Sequence, residues 1–300
     1  VIEAKSVTKK FHNETAVRNI NITVKRGSIY GLLGSNGAGK TTLLKMMAGI
    51  YRPETGTISI EDVPVFENVF IKKKVCYIPD TLYFFPQNTI AQMAEYYQNI
   101  YSEWDASRFN TLKRVFQIDT DRKIHKLSKG MQRQVAFWLA LSCMPSVLIL
   151  DEPIDGLDPV MRQKIKNVLF QDVADREMTV IISSHNLREI EDICDHIGIM
   201  HQGELIVEKE LDDLKADTHK IQVAFKSELQ EKHIVDQLEV VHQEKRGSVS
   251  VLIVKGEESN IKRIVRSEKP FVFDILPLTL EEMFIYEMGE VGYEIENILL

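Results

Sequence analysis

Apolar and polar positions alternate over the first part of the chain. Residues 3–7 and 17–24 keep that two-residue period and predict strands, with a polar turn at 12–15 between them. Residues 29–33 are apolar without a break and run directly into a glycine-rich segment. Residues 41–48 take up helical spacing, closed by Gly49, and 56–60 and 74–78 predict further short strands. Beyond residue 80 the period changes. Ile90, Met93, Ala94, Tyr97, Tyr101 and Trp104 recur at helical spacing, and Phe109, Leu112 and Phe116 form a second stripe behind Asp105, a helix-capping residue type. Residues 80–145 therefore read as a mostly helical insertion. Apolar strands return at 147–150, 179–183 and 197–200, separated by helix-like segments at 159–172 and 187–194. Alternation of this kind predicts an α/β fold, a parallel sheet covered on both faces.

From about residue 217 the pattern shifts again. Residues 220–225 alternate, 228–238 are helix-like, 239–242 give another strand and Lys245-Arg246-Gly247 a turn. Val249, Val251 and Ile253 alternate, Ile261, Ile264 and Val265 share a helical face, and 271–276 form a last strand. The order β-α-β-β-α-β is the split ferredoxin-like arrangement of a small α+β domain. Thr279 with Glu282 makes a capping box for a final helix over 280–288. The expected division is a first domain over 1–215, with its helical subdomain at about 80–145, and an accessory domain over 216–300.

Composition narrows the class of function. The 300 residues are 44% apolar and 27% charged, a globular balance that excludes a disordered or collagen-like chain. Lys and Arg number 37 against 44 Asp and Glu, a net charge of −7. Nucleic-acid binders usually carry a basic excess, so no nucleic-acid partner is expected. Cys76, Cys143 and Cys194 are widely spaced and odd in number, which predicts a reducing cytosol rather than a disulfide framework or a metal site. The longest apolar run, 135–141, falls well short of the about 20 residues of a membrane span. No basic start precedes an apolar stretch, so no secretory signal is expected. The chain reads as soluble, and any membrane process it serves needs another chain to cross the bilayer.

Gly34-Ser35-Asn36-Gly37-Ala38-Gly39-Lys40-Thr41 fits the phosphate-binding loop G-x-x-x-x-G-K-[ST] between a strand and a helix. The glycines let successive N–H groups turn inward on phosphate oxygens, and the helix N-terminus adds positive potential. Lys40 places a charge on the β- and γ-phosphates, and the Thr41 hydroxyl suits Mg²⁺; Thr42 continues the loop into the helix. The apolar strand 147–150 ends in Asp151-Glu152-Pro153. Asp151 at the strand tip suits Mg²⁺, and Glu152 suits a general base for an attacking water. Leu127-Ser128-Lys129-Gly130-Met131-Gln132 precedes a helix shortly upstream of that strand. Alone it reads as a Ser-led helix cap.

With the two preceding motifs, this segment resembles the Leu-Ser-Gly-Gly-Gln signature of the ATP-binding cassette (ABC) ATPases. Ser128 and Gly130 match; Lys129 and Met131 depart. The resemblance covers about residues 1–215. It implies a P-loop NTPase fold, a RecA-like core with an antiparallel β-subdomain and an inserted helical subdomain. It also implies ATP and Mg²⁺ as cofactors and two subunits, a homodimer or a heterodimer. The signature of one would then close over the nucleotide held by the other. Asp155-Gly156-Leu157-Asp158 resembles the D-loop, with Asp158 at its acid. His185, in Ser183-Ser184-His185, resembles the switch histidine that reaches the γ-phosphate. Phe11 occupies the place of an aromatic that stacks on adenine, or else is a core aromatic of the β-subdomain. Where the family carries a Gln that contacts Mg²⁺ and senses the membrane partner, this chain has Asp80, which can still ligate the metal. Tyr83, Phe84, Phe85 and Pro86 follow, either packed beneath the helical insert or forming a docking groove for a helix of a membrane partner.

The implied function is the ATP-hydrolysing subunit of an ABC transporter. It would be peripheral on the inner face of the membrane and would drive a separate integral-membrane permease. The tail, chiefly 278–293, resembles the extension of bacterial exporter-type subunits, so export is the expected direction. The alternative is a soluble, non-transport ABC-type ATPase acting on ribosomes or nucleic acid. The single phosphate loop, the short span from Lys40 to Asp151 and the acidic balance speak against it.

Overall fold

The computed structural model describes residues 2–154, 156–213, 218–279 and 282–283. The chain divides into two compact units, Val1–Glu208 and Lys209–Leu300. The first runs β1 (Ile2–Phe11), β2 (Glu14–Val24), β3 (Ile29–Leu33), α1 (Lys40–Met47), β4 (Thr55–Ile60), β5 (Val63–Pro64) and α2 (Val69–Lys72). It continues with β6 (Val75–Ile78), α3 (Ile90–Ile100), α4 (Ala106–Phe116), α5 (Lys129–Ser142), β7 (Val147–Asp151) and α6 (Pro159–Arg176). Last come β8 (Thr179–Ser184), α7 (Leu187–Glu191), β9 (His196–His201) and β10 (Glu204–Glu210), which crosses the division.

The central sheet has the order β10-β9-β3-β8-β7-β6. Pairings β3–β8, β3–β9, β6–β7 and β7–β8 are parallel. Every residue of β3, β7 and β8 is buried, as expected of strands covered on both faces. Beside it lies an antiparallel sheet of order β2-β1-β4-β5. Apolar side chains of β1, β2 and β4 share one core with Leu43, Leu44, Met46 and Met47 of α1 and with Ile149 and Ile181 of the central sheet.

The insertion expected to be helical from residue 80 has its first helix at Ile90, where the apolar stripe starts. Residues 79–89 carry no helix, and α3 stops at Ile100 because Tyr101 is already extended, so Tyr101 and Trp104 fall past its end. Thr89 and Gln92 form a capping box at its start, and Asp105 caps α4 by accepting from Ser107 and Arg108 N–H. Trp138 of α5 stacks on Phe109 of α4 at 4.6 Å between centroids, and its Nε1–H donates to Phe109 O at 2.8 Å. Arg108 of α4 pairs with buried Asp172 of α6 at 2.5 Å, and Arg176 supports the same carboxylate at 3.0 Å.

The second unit runs β11 (Thr218–Ala224), α8 (Glu228–Gln237), β12 (Glu239–Arg246), β13 (Val249–Lys255), α9 (Glu258–Ser267) and β14 (Val272–Leu276). Its antiparallel sheet has the order β12-β13-β11-β14, over a separate core that includes Ile221, Ile234, Leu252, Val254, Ile261 and Val265. Thr279 and Glu282 make both capping-box bonds, at 3.1 and 3.2 Å; the final helix expected over 280–288 lies outside the described residues. Cys76, Cys143 and Cys194 are buried and free. Although distant in sequence, Cys76 and Cys143 lie close, and burial followed by the bond to Cys76 pushes the Cys143 thiol well above its ordinary range. Among the described residues no helix is long and apolar enough to cross a membrane.

Candidate functional site

The phosphate-binding loop leaves the end of β3 and enters α1 through Gly39, whose φ is +102°. A Cβ there would strike the carbonyl oxygen of Ala16, so the turn requires glycine twice over. No side chain caps the first turn of α1, which leaves its N–H groups to an anion. Residues Ser35, Asn36, Gly37, Ala38, Gly39, Lys40, Thr41 and Thr42 line a cavity of about 250 Å³ with Ala16, Asp80 and Glu152. Buried Lys40 donates to Gly34 O at 2.5 Å and to Ser35 O at 3.3 Å, and its Nζ lies 3.3 Å from Glu152 Oε1.

Asp151 closes β7 with 1% of its surface exposed. Its Oδ1 accepts from Ser183 Oγ at 2.7 Å and from Thr41 Oγ1 at 3.1 Å; its Oδ2 accepts from the Tyr77 hydroxyl at 3.2 Å. Burial, then the Asp151 charge, pushes the Tyr77 phenol well above its ordinary value, so it stays a neutral donor. Three hydroxyls thus satisfy a carboxylate that has left water. Of these, only Thr41 stands out in the sequence, as part of the phosphate-loop motif. Tyr77 and Ser183 were visible only as strand residues, although Ser183 ends its strand beside His185.

Glu152 follows with φ +47°, a left-handed conformation costing about 1–2 kcal/mol outside glycine. Four neighbours hold it. Its N–H donates to Ser183 Oγ at 3.0 Å, and its carbonyl accepts from Arg133 Nη1. Its Oε2 lies 2.9 Å from His185 Nδ1 and accepts the His185 N–H at 3.3 Å, while Oε1 faces Lys40. Lys40, the Asp151-Glu152 pair and His185, far apart in sequence, are therefore contiguous.

Ser128 caps α5, its Oγ accepting from Met131 N–H at 3.3 Å. A Cβ on Gly130 would stand 2.8 Å from Gly156 O, so the backbone of this segment packs directly on the turn before α6. Ser128, Gly130 and Met131 line neither this cavity nor a second one of about 390 Å³. The second is formed by Asp80, Thr81, Leu82, Lys129, Gln132, Arg133 and Gly156. Asp158 caps α6 by accepting from Met161 N–H at 3.0 Å, ahead of Pro159; Asp155 lies outside the described residues. Asp80 borders both cavities, and its Oδ1 lies 3.3 Å from Arg133 Nη2. Phe11 is 40% exposed and edge-on to Tyr51 at 5.5 Å. It does not belong to the buried core and does not line the loop cavity.

The ABC transporter family profile matches residues 17–155. The ABC transporter ATP-binding protein YtrB of Bacillus subtilis (strain 168) is 32% identical over 295 residues, 96% of this chain and 98% of YtrB. The bacitracin transport ATP-binding protein BcrA of Bacillus licheniformis is 31% identical, over 94% of each chain. A solved structure of an ATP-binding subunit of an ABC transporter superposes with a TM-score of 0.67 at 26% identity, covering 72% of this chain and 92% of that one.

Proposed function

The chain belongs to the ABC transporter family, as an ATP-binding subunit of its ATPases, and on that premise we propose that it hydrolyses ATP at composite sites shared by two subunits. The hydrolysis drives a separate membrane permease, most simply for export. The observation that carries this reading is the carboxylate of Glu152. It is held between Lys40 and His185 on the wall of the phosphate-loop cavity, next in sequence to a buried Asp151.

Lys40 delivers its ammonium to the β- and γ-phosphates, and the first turn of α1 supplies N–H donors. Thr41 Oγ1 and Asp151 Oδ1, 3.1 Å apart, are hard oxygen donors that fit Mg²⁺, with Asp80 in reach of the same cavity. Bound there, the ion neutralises phosphate charge. Glu152 accepts a proton from the attacking water, and His185 orients that carboxylate and faces the γ-phosphate. Ser128, Lys129, Gly130 and Met131 present the N-terminus of α5 to the nucleotide of the second subunit, a homodimeric or heterodimeric partner. Asp158 sets the start of α6 beside that surface, and the exposed Phe11 ring stacks on adenine. The protein works as a peripheral subunit on the inner face of the membrane.

Glu152→Gln keeps the shape of the side chain and removes its basicity. Turnover of MgATP should fall by about 10²–10⁴ while nucleotide binding persists and an ATP-bound dimer accumulates on size exclusion. A monomeric variant with full turnover would overturn the assignment.

A further inference from the structure

Arg133 stands one turn into α5 and is 8% exposed. Nη1 donates to the carbonyl of Glu152; Nη2 donates to the carbonyl of Asp80 at 2.8 Å and to Asp80 Oδ1 at 3.3 Å. The Asp80 side chain is itself 58% exposed, so the firm partners are the two backbone carbonyls. Those carbonyls sit at matching places. The β6–β7 ladder ends at Ile78 opposite Leu150, and Asp80 and Glu152 each lie two residues further on. Past that point the strands have no ladder between them. Arg133 supplies the missing crosslink, one nitrogen to each tip.

Resting on the hydrolytic reading above, we infer that Arg133 is a positioning residue for Glu152. Its fork ties the carbonyl of Glu152 to the tip of β6 and thereby holds Glu152 in the left-handed conformation that aims its carboxylate at Lys40 and His185. Arginine suits the task because a planar fork meets two acceptors at once, whereas a lysine ammonium is a single point. The bonds of Arg133 go to Glu152 and Asp80, not to the phosphate-binding loop itself. The effect therefore falls on the chemical step, not on nucleotide affinity.

The test is steady-state MgATP turnover by the full chain as wild type, Arg133→Met, Arg133→Lys and Glu152→Gln, with thermal melts of each. Arg133→Met keeps the stem and loses the donors. Its kcat should fall about 10- to 100-fold while KM for ATP stays within about threefold, the pattern of a displaced catalytic group. Arg133→Lys should rescue only part of that loss. A folded Arg133→Met with wild-type kcat overturns the inference, as does a loss expressed equally in KM. If Arg133→Met does not fold, Arg133→Lys decides alone: lowered kcat at constant KM supports the role, and wild-type kcat removes it. Wild-type turnover in Glu152→Gln would sink the underlying hydrolytic reading instead. Loss in Glu152→Gln with none in the Arg133 variants would sink only the positioning role.

Discussion

A carboxylate at position 80 shares a cavity wall with the phosphate-binding loop, and a triphosphate brought there meets a like charge. Divalent cation removes that repulsion. Asp80→Gln should therefore bind ATP with a shallower dependence on Mg²⁺ than wild type. Titrations of nucleotide binding against Mg²⁺ that superpose for the two proteins would remove this account. At this scale the sequence was legible where chemistry is contiguous. Gly34 to Thr41 form one motif, and Asp151 and Glu152 sit together at a strand end. It was silent where a role arises by contact. Ser183 reaches Asp151 across 32 positions, Arg133 reaches Asp80 across 53, and Tyr77 reaches Asp151 across 74. A serine, an arginine and a tyrosine at those places carry no local signal of what they will touch.

Among the elements, strands buried on both faces and helices with a capping residue are the most legible in the sequence, because an apolar run or a Thr, Asp or Ser cap is a local property. The two-residue strand Val63–Pro64 and the single turn Val69–Lys72 are too short to show a period. Strand β10 is half-exposed with a charged end, so its apolar pattern is weak. Exposure separates the members of the aromatic segment before α3. Tyr83 is 76% exposed and Phe85 42%, whereas Phe84 is half-buried. Tyr83 and Phe85 join Met93, Tyr96, Tyr97, Ile100 and Tyr101 around an apolar cavity of about 210 Å³, a surface of the kind that takes up an amphipathic helix. Replacing Tyr83 and Phe85 together by Ser should leave ATP binding intact and abolish co-purification with a polytopic membrane protein. Retained co-purification would assign the ring cluster to packing alone.

On the scale of the whole chain, two cores without a shared member predict unfolding in more than one step. Calorimetry should resolve two transitions, and MgATP should raise only one of them, by about 2.7 kcal/mol at a hundred times its dissociation constant. A single transition moved as a block would show that the units melt together. The sheet order carries a different consequence. Strands β6 and β7 are neighbours, so everything from residue 79 to 146 is one detour between adjacent staves, of which α5 alone is buried along most of its length. Helices α3 and α4 are therefore held to the sheet chiefly through α5 and α6, and their outer faces are the part of the detour least bound to the site beneath. Three points hold that detour in place: a ring that covers Trp138, an arginine that answers buried Asp172, and an arginine that leaves α5 to grip the two strand ends.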